Sequence, residues 1–171
     1  MSNEEKHHQH GVMVRWQSQG ILICGEPGVG KSSFALSLLN QGAQFIADDI
    51  VELHRQQDSV IANAPQNAYG FLHHRELGLL DIQALFGVEQ LISHCEIDCM
   101  VLLTNTPTDT VQFSPQQTMT ILGVVLPQLT LCTQNTLSLH ERLSIWLRQK
   151  SLTDTEEKFV NALYRDSSEN S

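Results

Sequence analysis

The stretch Gly25-Glu-Pro-Gly-Val-Gly-Lys31-Ser32 constrains this chain more than any other. It fits G-x-x-x-x-G-K-[ST] at every position. The apolar run Ile21-Leu22-Ile23-Cys24 precedes it, and a helical period with Phe34, Ala35, Leu38 and Leu39 on one face follows. Strand, glycine-rich turn and helix in that order make a loop whose N–H groups converge on anionic phosphate oxygens, with the helix N-terminus behind them. Gly25, Gly28 and Gly30 permit backbone angles and close approaches that a side chain would block. The cradle is therefore expected to run through Gly25, Glu26, Pro27, Gly28, Val29, Gly30, Lys31, Ser32 and Ser33. Lys31 supplies a point charge for the terminal phosphates, and the Ser32 hydroxyl can ligate Mg²⁺.

Lysine matters here because cations are scarce. The chain of 171 residues carries ten Lys and Arg against nineteen Asp and Glu, a net charge of −9. No Lys or Arg lies between positions 76 and 141. There is no basic stripe to neutralise a phosphate backbone, which argues against nucleic-acid binding as the main function. No run reaches the roughly eighteen apolar residues of a membrane span, and the acidic, polar start is the reverse of a signal peptide. The four cysteines (Cys24, Cys95, Cys99, Cys132) show no CxxC spacing and sit in apolar segments. They are expected to be buried or reduced thiols of a cytoplasmic protein. The eight histidines make no metal-ligand spacing.

Length gives about one domain. Residues 1–9 read as a flexible leader, 10–165 as a single domain and 166–171 as a polar tail. Val12 to Val14 and Ile21 to Cys24 suggest a hairpin around Gln17 to Gly20, and Gly42 stops the first helix. Gln44 to Ala47 reads as a strand. Ile50 to His54 and Ser59 to Ala62 make a further strand pair. Leu77 to Ile82 is extended, and Ala84 opens a short helix or turn. Ile97 to Leu103 reads as a buried strand, Thr104 to Gln117 as a loop, and Leu122 to Leu131 as a strand interrupted at Pro127. Helices are expected over Leu137 to Gln149 and Thr153 to Arg165. The order predicts a mixed α/β domain.

A phosphate cradle alone names no reaction. Asp48-Asp49 follows the strand to which the helix returns. In a parallel βαβ unit that places both carboxylates beside the loop. One can hold Mg²⁺, directly or through water, and the other can take a proton from an attacking hydroxyl. Arg55 and Glu52 read as exposed surface charges. Trp16 and Trp146 are expected to pack against the sheet and the late helix.

Gly20 to Leu36 followed by Ala47-Asp-Asp-Ile-Val-Glu52 resembles the catalytic domain of the bacterial HPr kinase/phosphorylase family. His10-Gly-Val-Met-Val14 is similar to the His-Gly-Val-Leu-Val that precedes the loop there. Arg75-Glu-Leu-Gly-Leu-Leu-Asp-Ile82 resembles the family's Arg-Gly-Leu-Gly-Ile-Ile-Asn-Val. The resemblance runs from about His10 to Trp146 and is to the short, proteobacterial form. It implies a P-loop kinase domain of the HPr kinase type, related to PEP carboxykinase, with a mixed central sheet and helices. It also implies ATP- and Mg²⁺-dependent phosphorylation of a serine on the phosphocarrier HPr. Reversal is by phosphorolysis, with inorganic phosphate and pyrophosphate as the small partners, in a cytoplasmic homo-oligomer, a hexamer in the family. Residue by residue, it makes Lys31 the holder of the transferred group and Ser32 a metal ligand, beside which Asp48, by its position, can hold the same ion. Asp49 becomes the base, His10 its proton-tuning neighbour, and Arg75 part of the signature used in both directions.

Three departures follow from the same resemblance. His73 stands where the family has a Glu ligand, and Glu76 stands where it has Gly, from which Glu76 could supply the carboxylate. Asp109 to Ser114 lacks the family's loop arginine. Cys132 to Thr136 replaces the Pro-Gly-Arg-Asn loop of full-length members. Two further readings therefore stay open: a nucleotide- or phosphate-binding regulatory module without turnover, and a kinase of a different hydroxyl acceptor.

Overall fold

Period-two alternation sorts the first apolar runs onto two faces. In the computed structural model, which describes residues 6–107, 117–152 and 155–168, β1 (His7–His10), β2 (Val12–Trp16) and β3 (Gln19–Gly25) open the chain. β2 and β3 form the expected hairpin. Its two turn residues, Gln17 and Ser18, both take left-handed backbone angles (φ 50° and 60°), the twist that a two-residue hairpin favours. α1 (Lys31–Asn40) leads to β4 (Gln44–Ala47), then β5 (Ile50–Gln56), β6 (Ser59–Asn63), β7 (Phe71–His74) and β8 (Gly78–Asp81). α2 (Ile82–Phe86) begins two residues ahead of the expected point because Asp81 caps it, accepting from the Ala84 N–H at 3.0 Å. The remainder is β9 (His94–Glu96), β10 (Cys99–Thr104), β11 (Thr118–Ile121), β12 (Val124–Cys132), α3 (Leu139–Lys150) and α4 (Thr155–Ser168).

Six strands make the central sheet in the order β11-β12-β10-β3-β2-β4, and four make a second sheet, β1-β5-β6-β9. Among the described residues, β7 and β8 pair only with each other. The central sheet is mixed: β3, β10 and β12 run parallel, while β2 is antiparallel to both β3 and β4. Its two faces bury two cores. Val12, Val14, Ile21 and Ile23 meet Phe34, Leu38 and the α3 residues Leu143 and Leu147. Met13, Leu22 and Cys24 meet Val51, Leu53, Val60 and Ala62 of the second sheet. β3 is covered on both sides, which is why it reads as an unbroken apolar run.

Four expectations are corrected. β3 and β4 are not neighbours: β2 lies between them, so the crossover through α1 skips a strand. Residues 7–9 are not flexible leader but part of β1, paired with β5 from His7 opposite Leu53 to His10 opposite Ile50. Glu52 is less exposed than expected, at 22% of its side chain, because β1 brings Lys6 to 3.5 Å and His8 to 3.9 Å. Pro127 does not interrupt β12. It pairs with Thr118 on the β11 side, and the parallel ladder with β10 begins one residue later at Gln128, so no ladder bond needs its missing N–H. Trp16 is buried and Trp146 packs on the α3 side of the core, as expected. Arg55 is a turn charge bound to the Gln57 and Leu122 carbonyls.

Candidate active site

The two sheets are joined twice at one edge, and the site forms at that seam. The chain leaves the second sheet at His10, turns at Gly11 and enters the central sheet at Val12. It returns from the central sheet at Ala47 through Asp48-Asp49 to Ile50. The Gly11 N–H donates to the Asp49 carbonyl at 3.0 Å and staples the two passages together. The intervening β2, absent from a simple βαβ picture, is what carries His10 beside the acidic pair.

Gly25 to Gly30 closes the same edge from β3. Val29 N–H donates to the Glu26 carbonyl at 3.1 Å, and the Val29 side chain is buried in the core beneath. Gly28 and Gly30 hold φ of 80° and 109°, where a side chain would be strained. α1 then starts with no side-chain cap and no acid in its first turn. Its leading N–H groups have no intrahelical partner and stand at the cleft as anion donors. Lys31 Nζ donates to the Gly25 and Glu26 carbonyls at 2.9 and 3.1 Å, which holds the ammonium over the loop.

Asp48 is tied at both carboxylate oxygens. Its Oδ1 accepts from Ser32 Oγ at 3.2 Å and its Oδ2 from the His73 N–H at 2.8 Å. Burial pushes its carboxyl above the usual range, against the pull of those hydrogen bonds. Asp49, by contrast, is exposed, with φ of 67°. The Ile50 N–H donates across it to the Asp48 carbonyl at 2.8 Å. A three-residue turn with positive φ at its centre is strained, and the Gly11 staple helps hold it. The Asp49 carboxylate stands 3.8 Å from His10 Nδ1, both side chains more than four-fifths exposed.

A cleft of about 650 Å³ is lined by His10, Gly28, Lys31, Ser32, Asp48 and Asp49, with His73 at its rim. The adjoining cleft, about 550 Å³, adds Ser33, Arg75 and Glu76. Arg75 lies against the loop: a Cβ on Gly28 would meet its guanidinium at 3.4 Å. The structure thus brings together His10, Lys31, Ser32, Asp48, Asp49 and Arg75. Glu26 lends its carbonyl to Lys31 but does not line either cleft. Asp109 to Ser114 lies outside the described residues.

Ser32 and Asp48 present hard oxygen donors that suit Mg²⁺. Among the described residues no group of three or more His, Cys, Asp or Glu could hold a metal by itself. Two protein oxygens beside a phosphate cradle fit a cation whose other ligands are phosphate and water. Cys24, under the loop, is no nucleophile: burial pushes its thiol up to about 11, with Lys31 offsetting only part. All four cysteines are free thiols.

Sequence reasoning missed His74. Its Nδ1 accepts the Glu76 and Leu77 N–H groups, both at 3.2 Å, so its other nitrogen carries the proton donated to Ser33 Oγ at 2.8 Å. One ring thereby shapes the β7–β8 turn that carries Arg75 and ties it to α1. An imidazole doing what an Asn does in a local turn leaves no pattern in sequence.

The family model described as HPr Serine kinase C-terminal domain matches residues 2–159. The chain belongs to that family. HPr kinase/phosphorylase from Lacticaseibacillus casei strain BL23 is 34% identical over 176 residues, covering 96% of this chain and 55% of the relative. That from Limosilactobacillus reuteri is 32% identical over 172 residues, covering 94% and 53%. The chain spans about half the length of these HPr kinase relatives. Among solved structures, the Hpr(Ser) kinase/phosphatase from Coxiella burnetii superposes with a TM-score of 0.76 at 28% identity, over 85% of this chain and 99% of that one.

Proposed function

We propose that the chain is an ATP- and Mg²⁺-dependent phosphotransferase that phosphorylates a serine of an HPr-like phosphocarrier and reverses the transfer with inorganic phosphate. The observation that carries this reading is Asp49. An exposed carboxylate in a strained turn, in one cleft with the phosphate loop, is a base without a structural purpose. The names of the relatives supply the acceptor.

In the forward direction the loop N–H groups and Lys31 hold the triphosphate, and Arg75 faces it from the β7–β8 turn. The seryl oxygen bonds to the γ-phosphorus as the bond to the departing ADP oxygen breaks, and the serine proton passes to Asp49. His10 lies beside that carboxylate and tunes the proton. In reverse a phosphate oxygen bonds to the phosphoserine phosphorus as the bond to the serine oxygen breaks, Asp49 passes the proton of the attacking phosphate to that serine oxygen, and pyrophosphate leaves. Mg²⁺, held by Ser32 and Asp48, supplies charge neutralisation of the phosphates.

A cytoplasmic setting fits ATP use and four free thiols, and no helix among the described residues is long and apolar enough to cross a membrane. Assembly into a homo-oligomer, a hexamer by family resemblance, would cover exposed Leu77, Leu79 and Leu85. Incubation with labelled ATP, Mg²⁺ and HPr from the same genome tests the reading. Acid-stable seryl phosphate, removed again by phosphate with release of pyrophosphate, is expected. ATP binding without transfer to HPr overturns it. A regulatory module is the second reading, favoured by His73, which meets Asp48 through its backbone N–H. Phosphorylation of some other acceptor instead would identify a kinase with a different partner.

A further inference from the structure

A groove of about 340 Å³ runs along α1 on the side away from Asp49. Val29 and Phe34 form its floor and Leu139 its far wall, with Thr133, Ser138 and His140 at the edge. It shares no lining residue with the cleft of His10 and Asp49, but it shares Gly30 and Ser33 with the middle cleft of Lys31 and Arg75. The middle cleft in turn shares Gly28, Lys31, Ser32 and His73 with the acidic one. The three therefore lie in series: acid, phosphate loop, apolar groove.

We propose that this groove receives the base and ribose of the nucleotide whose phosphates the loop holds, and that it discriminates little between purines. The inference rests on the ATP-binding reading above. If Asp49 takes the acceptor proton, the transferring phosphate faces the acidic cleft. The rest of the nucleotide then leaves the loop on the opposite side, past Gly30 and Ser33. From Gly30 to Ser37 the helix advances roughly 10 Å, a length suited to a nucleoside lying along it. A flat aromatic base gains from apolar walls such as Val29, Phe34 and Leu139.

Selectivity is weak because the polar side chains there are already engaged. Thr133 Oγ1 donates to Asn105 at 2.8 Å, and Ser138 Oγ donates to Glu141 at 2.7 Å. His140 Nδ1 lies 3.1 Å from Ser138 Oγ, and Ser37 Oγ donates to the Phe34 carbonyl at 2.7 Å. A groove that recognises by apolar contact separates close analogues far less than one built to hydrogen-bond them.

Calorimetric titration of the full chain with ATP, GTP and inorganic tripolyphosphate, each with Mg²⁺, decides it. ATP and GTP are expected to bind within about tenfold of each other, and both about tenfold or more tighter than tripolyphosphate. Ser37→Trp fills the groove from α1, and Leu139→Ser removes the opposite wall. Each is expected to lose about tenfold in ATP affinity while tripolyphosphate binding is kept. Retained tripolyphosphate binding shows that a variant is folded. Equal affinity of the wild type for ATP and tripolyphosphate overturns the proposal, as does undiminished ATP affinity in both folded variants. A wild type that binds neither ligand instead removes the phosphate-loop reading, and the groove's role with it.

Discussion

α1 and α3 pack in the same core, and their first turns are built oppositely. α3 begins with a complete capping box. Ser138 Oγ accepts the Glu141 N–H at 3.2 Å, and the Glu141 carboxylate accepts the Ser138 N–H at 3.0 Å. α1 begins at a left-handed glycine, without a cap and without an acid. Its first side chains, not its N–H groups, are held from elsewhere: Asp48, just past β4, accepts from the Ser32 hydroxyl, and His74, in the β7–β8 hairpin, donates to the Ser33 hydroxyl. One helix start is closed for stability. The other is left open, with donors for a ligand and its acid supplied from a distance, so that a phosphate completes it.

The largest effect expected from this contrast is at Lys31. Lys31→Ala removes the charge that faces the terminal phosphates, and transfer to the acceptor is expected to fall by about 10²- to 10³-fold. The same variant should lose the ligand-induced stabilisation, about 2.7 kcal/mol for the wild type at a hundredfold excess over Kd and read as a rise in melting temperature. A variant still stabilised by Mg²⁺-tripolyphosphate would break the picture of α1 as a helix completed by its ligand.

Asp48→Asn separates ligand from fold. The fold holds this carboxyl above its usual range by burial, so the folded state binds the proton more tightly than the unfolded chain. Its stabilising contribution is full below the ordinary carboxylate range and is lost as pH rises through the raised value. The amide avoids that cost, and the ligand-free variant is expected to be more stable at neutral pH by about 1 kcal/mol and so to melt higher. Its Mg²⁺-dependent nucleotide affinity should drop about tenfold or more. A ligand-free variant that melts lower, in scans at neutral pH, would mean that Asp48 serves the fold first.

His74 gives a smaller, divisible effect. His74→Asn keeps an acceptor where Nδ1 stands and so keeps the turn, but cannot reach Ser33. His74→Gln reaches Ser33 and leaves the turn N–H groups to water. If the turn is what places Arg75, the Gln variant loses about fivefold in kcat at unchanged KM for ATP, and the Asn variant retains it. The reverse order, a loss in the Asn variant with the Gln variant unaffected, would assign His74 to the Ser33 link instead.

How much of this was readable beforehand follows the distance over which each part is made. Residues 25–31 close their loop through bonds reaching six residues or fewer, such as Lys31 to Gly25, and the motif was legible in full. The Asp48-Asp49 turn was legible as a candidate, but for a reason that proved incomplete. The crossover was expected to make β3 and β4 neighbours, whereas β2 pairs between them. That strand order is set by side chains from remote segments sharing the two cores. No local pattern in His7 to His10 announces a partner at Leu53, so the first histidines read as leader. His10 entered through resemblance, and the β1–β2 turn explains how it arrives at the site.

The mildest test lies at the closed helix start. Glu141 is exposed, and its carboxyl sits below the usual range because the Ser138 hydroxyl and N–H donate to it. A depressed carboxyl contributes stability that is full above the ordinary range and is lost as pH falls through the lowered value. Glu141→Ala should therefore lower the melting temperature slightly at neutral pH, with the gap to the wild type closing as the solution is acidified. Transfer should be unchanged, because Glu141 lines none of the three clefts. No gap at any pH would show that the cap works through the Ser138 bond to the backbone N–H of position 141 alone, which alanine keeps. A loss of transfer would mean that the two helix starts are coupled through the groove between them, and the contrast drawn between a closed and an open terminus would fail.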